Sequence, residues 1–261
     1  MPLSTAFFPE SDHTFDLYPL RFSIVSTRAA PLTPNLLRGA FGSALKKLSE
    51  QDYQRFFAPT APPGQGPSGL EDPPRPFAFR LHDNSCIGMN VFATREPVIE
   101  LFTRALCQVD AVTIESVTGT DLLRLPLAGN GTPVSRLRVH FLTPTELKGA
   151  ERPDFGVLMS RIRDRISTLR QLYGAGPLDI DFKAFGDRAS RVAMTRCDLA
   201  PVFATRVSRR TGQSHSLGGF TGICEYEGDL AEFLPYLEIA RWTGVGRQTV
   251  WGKGEISAEA L

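Results

Sequence analysis

The first apolar positions of the chain are Phe15 and Leu17, followed by Leu20, Phe22 and Ile24. From Leu20 they alternate with polar residues, the period of a half-buried strand. Thr33 and Pro34 then form a helix start: the Thr hydroxyl can accept from free backbone N–H groups, and Pro loses no hydrogen bond at the first helical position. Leu36, Leu37, Ala40, Phe41, Ala44, Leu45 and Leu48 recur at helical spacing. Segments 77–81 and 88–93 read as strands, 98–106 as a helix and 112–117 as a strand. The order is β-α-β-β-α-β. Between the first helix and the second strand, residues 59–76 hold seven prolines and several glycines, the composition of a loop or insertion.

The second half repeats the order. Leu137, Val139 and Phe141 alternate, and Phe155, Leu158, Met159, Ile162, Ile166, Leu169 and Leu172 form a helical stripe. Strands are predicted at 191–194, 202–208 and 219–226, a helix at 230–240 and a last strand at 249–257, with one strand more than the motif needs, as a hairpin extension. A β-α-β-β-α-β unit is the ferredoxin-like split fold, in which an antiparallel sheet carries two helices on one face. The chain therefore reads as α+β, two ferredoxin-like (RRM-like) units in tandem, residues 1–132 and 133–261. The other face of such a sheet is the one that RNA-binding modules use, and two units would set two sheets beside a cleft. The fold by itself hosts many functions.

Composition narrows this only a little. The 261 residues are 42% hydrophobic and 22% charged with a net charge of +1, those of a soluble globular protein. Locally, 183–215 carries seven Lys/Arg against two acids, a surplus that suits a polyanion and equally an ordinary solvated face. The four cysteines form no C-x-x-C pair and stand beside no His at ligand spacing, so they are expected to be inert in a reducing compartment, without zinc. The start of the chain lacks the features of a signal peptide, and no apolar run is long enough for a membrane span, so a cytoplasmic protein without membrane contact is expected.

The most specific motif is near the C-terminus, in the loop 244–254: Gly244, Gly246, Gly252 and Gly254 spaced as G-x-G, five residues, G-x-G, with Arg247 and Lys253 among them. Glycine permits positive φ and close backbone approach, and successive N–H groups in such a turn can hold an anion. The spacing is neither that of a Walker loop nor that of a dinucleotide fingerprint. This loop resembles the C-terminal glycine-rich loop of the RAMP superfamily. The segments Gly218-Gly219-Phe220-Thr221-Gly222 and Phe233-Leu234-Pro235-Tyr236-Leu237, the Arg206-Val207-Ser208-Arg209-Arg210 run, and Leu37-Arg38-Gly39-Ala40-Phe41-Gly42 near the N-terminus are similar to the CRISPR-associated "Cas-six" endoribonucleases of that superfamily.

The resemblance implies an RNA partner, CRISPR repeat RNA or crRNA, with other CRISPR effector subunits as candidate partners, and an oligomeric state left between monomer and homodimer. It implies cleavage without metal or cofactor, by attack of a ribose 2′-hydroxyl on the adjacent phosphate. Such chemistry needs a proton acceptor, a cation to stabilise the phosphorane and a proton donor for the leaving oxygen. Many members of the family place a His on or near the first helix; residues 32–50 contain none. Of His13, His82, His140 and His215, the last stands between the Arg segment and Gly218 and is the candidate acid or base, whereas His140 reads as a sheet histidine. Lys46 and Arg38 are candidates for charge stabilisation, although Lys46 also reads as a helix C-terminal cation complementing its dipole. Arg206, Ser208, Arg210, the four loop glycines, Arg247 and Lys253 are the expected RNA contacts, and Tyr226 and Trp251 the candidate stacking rings. Two alternatives stand beside the nuclease: a non-catalytic RAMP subunit that holds crRNA, and an unrelated ferredoxin-like module.

Overall fold

The computed structural model describes residues 13–26, 32–60, 73–81, 85–92, 98–110, 112–150, 152–203, 205–207, 214–216 and 218–261. In the first half, β1 (Thr14–Ser26), β2 (Phe77–Leu81), β3 (Cys86–Phe92) and β4 (Val112–Thr118) form an antiparallel sheet in the order β2-β3-β1-β4. In the second, β6 (Arg136–Thr145), β7 (Ala193–Val202), β10 (Gly219–Glu227) and β11 (Ile256–Ala260) are ordered β11-β6-β10-β7. By position within each half both orders are 4-1-3-2, the ferredoxin-like arrangement expected of tandem units. The predicted hairpin extension is β8 (Thr205–Val207) with β9 (Ser214–Ser216), inserted between β7 and β10.

The helices form where the periodicity placed them. α1 (Pro34–Leu48) begins at Thr33, whose hydroxyl accepts from the Leu36 N–H at 3.2 Å. It continues through the short α2 (Glu50–Asp52) into a π-helical turn, Tyr53–Phe57. With α3 (Ile99–Cys107) it covers one face of the first sheet. Phe41 is fully buried there, with its ring centroid 5.3, 5.6 and 5.2 Å from those of Phe77, Phe79 and Phe102, edge to face in each case. In the second unit α4 (Phe155–Tyr173) and α6 (Leu234–Thr243) cover the sheet.

β7 runs from Ala193 to Val202, where the sequence places strands at 191–194 and 202–208, and three further elements depart from the sequence reading. β5 (Leu123–Pro126), too short to show a period, pairs with the start of β1, and α5 (Phe182–Ala189) is a brief helix capped by Asp181. The last strand starts at Ile256 and not at 249, because Thr249–Trp251 is a 3-10 turn. The cysteines are not uniformly buried either: Cys224 is, Cys107 is exposed. No helix among the described residues is long and apolar enough to cross a membrane.

The apolar parity of β1 changes along the strand, and this sets how the units meet. Leu20, Phe22 and Ile24 face the core under α1 and α3, while Phe15 and Leu17 belong to the second unit's core together with Ala78, Phe92 and Leu125. The pairing of β1 with β3 runs in unbroken register from Leu17↔Phe92 to Ser23↔Cys86. Odd and even residues of β1 therefore point to opposite faces. The first sheet thus buries part of its second face against the other unit. Asn90 Nδ2 donates to the Trp242 carbonyl at the end of α6 at 3.0 Å, and Tyr173 Oη donates to the Pro74 carbonyl at 3.0 Å. The expected picture of two free sheet faces flanking a cleft holds for only part of the first sheet.

Phe41→Ala should destabilise the chain by about 3–5 kcal/mol, the range for emptying an aromatic core site, checked by the midpoint of denaturant unfolding.

Candidate functional site

All four glycines of the 244–254 loop have positive φ, between 69° and 81°. The close approach that requires them is to the chain itself. A Cβ on Gly254 would lie 1.9 Å from the Val245 carbonyl oxygen, and one on Gly246 would lie 2.4 Å from that of Glu146. Backbone bonds close the turn: Val245 N–H to the Gly254 carbonyl at 2.8 Å, Gly254 N–H to Pro144 at 3.1 Å, and Arg247 N–H to Glu146 at 3.0 Å. The 3-10 turn then crosses to the first unit. Val250 is buried in the first unit's core, and Gly252 lies so close to Pro34 that a Cβ would come within 2.6 Å of its ring. The guanidinium of Arg38, one turn further along α1, stands 5.3 Å from the Trp251 ring and 4.7 Å from that of Phe57. The expected cradle of bare amides is therefore corrected: most of the turn is packed, and it clasps the two units together.

The cations of the turn are also engaged. Lys253 is 4% exposed; its ammonium donates to the Gly218 carbonyl at 2.6 Å and to Gln248 Oε1 at 3.0 Å, and lies 3.3 Å from Glu146. Burial holds its pKa below the usual ammonium range, against the opposing pull of Glu146. Arg247 pairs with the same carboxylate at 2.8 Å and is otherwise exposed. Gln248 has φ 62°, the left-handed region where a non-glycine residue is costly, and the Lys253 bond holds its side chain. The expectation that Lys253 reaches out to phosphate gives way to an internal anchor.

Gly218 is the root of the hairpin β8–β9, where the register sets His215 opposite Arg206. Lys253 thus fastens the hairpin root to the glycine turn. Ser208, Arg209 and Arg210 lie outside the described residues. Three predicted parts do come together: the N-terminal half of α1 with Arg38, the glycine turn, and the base of the Arg/His hairpin. Lys46 does not join them. It is two turns further along α1, roughly 12 Å from Arg38 at the helical rise, where it pairs with Glu50 at 3.5 Å and caps the Tyr53 ring at 5.4 Å. Tyr226 is no stacking ring: it is 1% exposed and donates to the Pro153 carbonyl at 2.7 Å. His13 is exposed, and His82 lies outside the described residues.

His140 lies on the uncovered face of the second sheet, 3.4 Å from Glu259. That face carries a mixed charge network. Arg138 bonds Glu225 at 2.8 Å and Glu259 at 2.9 Å, Arg136 stands 3.7 Å from Glu225, and Arg196 bonds Asp198 at 2.6 Å. The hydrogen bond from Arg138 is the main reason the Glu225 carboxyl titrates below the usual range, with Arg196 adding to it. Lys183 and Arg188 are likewise paired, with Asp187 at 2.6 Å and with Glu232 at 2.6 Å. Of the basic surplus counted along the sequence, Lys183, Arg188 and Arg196 are thus matched by acids in space. Among the described residues no group of three or more His, Cys, Asp or Glu side chains could hold a metal ion. The sequence reading passed over Arg80, which is 3% exposed and whose Nη2 would meet a Cβ on Gly244 at 3.1 Å.

Residues 139–256, most of the second unit, match the family model of the CRISPR-associated endoribonuclease Cas6. The fold of the whole chain is similar to that of Cas6 from Thermus thermophilus (TTHB231), with TM-score 0.61 and 18% identity over 94% of this chain and 99% of that one. A product complex of the same protein gives TM-score 0.59 at 15% identity over 95% and 100%. A chain of a partial Cas6-RT-Cas1–Cas2 complex gives 0.53 at 12% identity, covering 96% of this chain and 47% of that one. No curated protein sequence matches the chain. The class is thus a tandem ferredoxin-like fold. Its second unit matches the Cas6 family over residues 139–256, and the fold of the whole chain is similar to that of solved Cas6 structures.

Two outcomes follow. Lys253→Met should cost about 1–3 kcal/mol of stability, the scale for leaving the buried Gly218 carbonyl without its donor, read from thermal or denaturant unfolding. Because the folded-state pKa of Glu225 is depressed, its contribution is present above the ordinary carboxylate range and is lost as pH falls through the folded value. The melting temperature should therefore drop on acidification below about pH 4–5, and Glu225→Gln should make that drop smaller.

Proposed function

We propose that the chain cuts CRISPR repeat transcripts, acting as a pre-crRNA processing endoribonuclease. The observation that carries this reading is the junction at Lys253, whose bond to Gly218 joins the Arg/His hairpin to the glycine turn beside Arg38. The Cas6 family match supports the substrate class. In this reading a ribose 2′-oxygen attacks the neighbouring phosphorus and the P–O5′ bond breaks. The products are a 2′,3′-cyclic phosphate, or the 3′-phosphate it opens to, and a 5′-hydroxyl. The requirement for a 2′-OH makes RNA the substrate and excludes DNA. Arg38 is assigned the charge on the phosphorane: its guanidinium sits against Trp251 and Phe57, and such a donor acts electrostatically where charge develops. His215 is assigned a proton-transfer role, as acid or base. Arg206, Ser208 and Arg210 are assigned phosphates flanking the cut, as is the exposed Arg247. Other CRISPR proteins are proposed as partners, since one similar chain belongs to a Cas6-RT-Cas1–Cas2 complex.

A second reading has its own observation: α1 carries no histidine, and the Lys253 ammonium is already satisfied within the chain. On that reading the protein holds crRNA without cutting it.

Purified protein incubated with a repeat RNA in the presence of chelator should cut at one site, and a substrate with a 2′-deoxy sugar there should survive intact. His215→Ala should slow single-turnover cleavage by roughly 10²–10⁴-fold and Arg38→Ala by roughly 10²–10³-fold. Lys46→Ala should leave the rate within about twofold, given its distance along the helix. Tight binding of intact RNA over long incubation would favour the second reading. Cutting of the deoxy substrate would rule out the 2′-hydroxyl mechanism.

A further inference from the structure

The second face of the first sheet changes character row by row. Leu17 and Phe92 pair in a row buried against the second unit. The next row is Pro19, Asn90 and Ala78, and the one after it Arg21, Gly88 and Arg80. Beyond that come Ser23 and Cys86, with Ser116 and Thr118 of β4 beside Ser23 and Arg21, and there the face is uncovered. The two arginines therefore stand at the border between a dry seam and an open, hydroxyl-lined surface.

Arg165 of α4 reaches the same border from the second unit. Its Nε donates to the Thr243 carbonyl at 3.2 Å. Arg80 Nη1 donates to its neighbour Phe79 at 3.1 Å, and Arg21 Nη1 to the Leu20 carbonyl at 3.1 Å and Asn90 Oδ1 at 3.4 Å. Among the described residues Glu255, with Oε2 3.7 Å from Arg80 Nε, is the one carboxylate paired with these three guanidiniums. The Nη2 atoms of Arg80 and Arg165 are both shut from solvent and meet no acceptor among the described residues. A buried donor left open costs far more than a satisfied one, and unlike charges must compensate buried cations. Burial, and then the charge of Arg80, pushes the pKa of Arg165 down to about 9; burial also lowers that of Arg80, and Arg21 adds to it. Glycine lets these groups pack closely. A Cβ on Gly88 would lie 3.1 Å from Arg21 Nη1 and 3.1 Å from Arg80 Cβ, and one on Gly244 would lie 3.1 Å from Arg80 Nη2.

We propose that Arg21, Arg80 and Arg165 form an oxyanion site, taking a backbone phosphate of the bound RNA where the open half of the first sheet meets the glycine turn. Planar guanidinium forks suit a phosphate's several acceptors, and the uncovered serines and threonines beyond Arg21 give the strand its approach. The RNA arm rests on the proposed nuclease reading; the oxyanion arm does not.

The test uses the full chain, with Arg21→Gln as the main variant because Arg21 is half-buried and its loss leaves the seam packed. Inorganic phosphate should raise the melting temperature of the wild type above that in chloride at matched ionic strength, and Arg21→Gln should lose most of that rise. The plot of log Kd for repeat RNA against log salt should lose about one unit of slope in the variant, the loss expected for one phosphate contact. Arg80→Gln, if it melts cooperatively, should show both changes. A wild type that phosphate does not stabilise, together with an Arg21→Gln variant of unchanged RNA affinity and salt slope, overturns the site. A phosphate effect lost in Arg21→Gln with an unchanged RNA slope overturns the RNA assignment and leaves a site for free phosphate. If the wild type binds no RNA at all while phosphate still stabilises it, the nuclease reading fails and the oxyanion site stands.

Discussion

The contact on which the molecule depends is the passage of the second unit's glycine turn into the first unit. Val245 and Gly254 close the turn through backbone atoms so near that no side chain fits between them, and Val250 enters the first unit's core from its tip. Left-handed backbone at four positions is tolerable only because glycine carries no Cβ. The clasp fixes where α1 stands relative to the second sheet, and with it the place of Arg38 against Trp251.

Charge is arranged around the same clasp. Lys253 bonds the hairpin root, the turn and Glu146 at once, so a buried ammonium is compensated on several sides. The second sheet's uncovered face, where a generic RNA-binding module would hold a strand, is instead a lattice of Arg–Glu pairs with no clear surplus. Uncompensated positive charge lies elsewhere, on the first sheet at the edge of the seam, where Arg80 is enclosed and incompletely paired. The positive potential of a surface thus follows from which acids are near, not from how many basic residues a segment contains.

Much of this was legible in the residues. Thr33-Pro34 announces α1, and the stripe from Leu36 to Leu48 defines its buried side. The change of parity between Leu17 and Leu20 even records that β1 serves two cores, although alternation alone does not say which neighbour covers the second face. Thr249-Val250-Trp251 misleads, because β-branched and aromatic residues favour strands, while the glycines around them and the pocket in the first unit impose a 3-10 turn. β5 is too short to display a period and exists through its pairing with β1.

What the sequence by itself determined is local and periodic: the two β-α-β-β-α-β units, the helix cap, the turn that only glycine can make, and the family likeness of the second half. Those features depend on neighbours a few residues apart, and hydrophobic spacing records them. Tertiary structure alone decided that the glycine turn faces inward, that Lys253 and the arginines of the second sheet are neutralised, that Lys46 stands apart, and that Arg21, Arg80 and Arg165 converge. Those outcomes depend on distances between residues far apart in the chain, such as Arg80 and Glu255 or Lys253 and Glu146. Coulombic and desolvation energies follow separation in space and not in sequence.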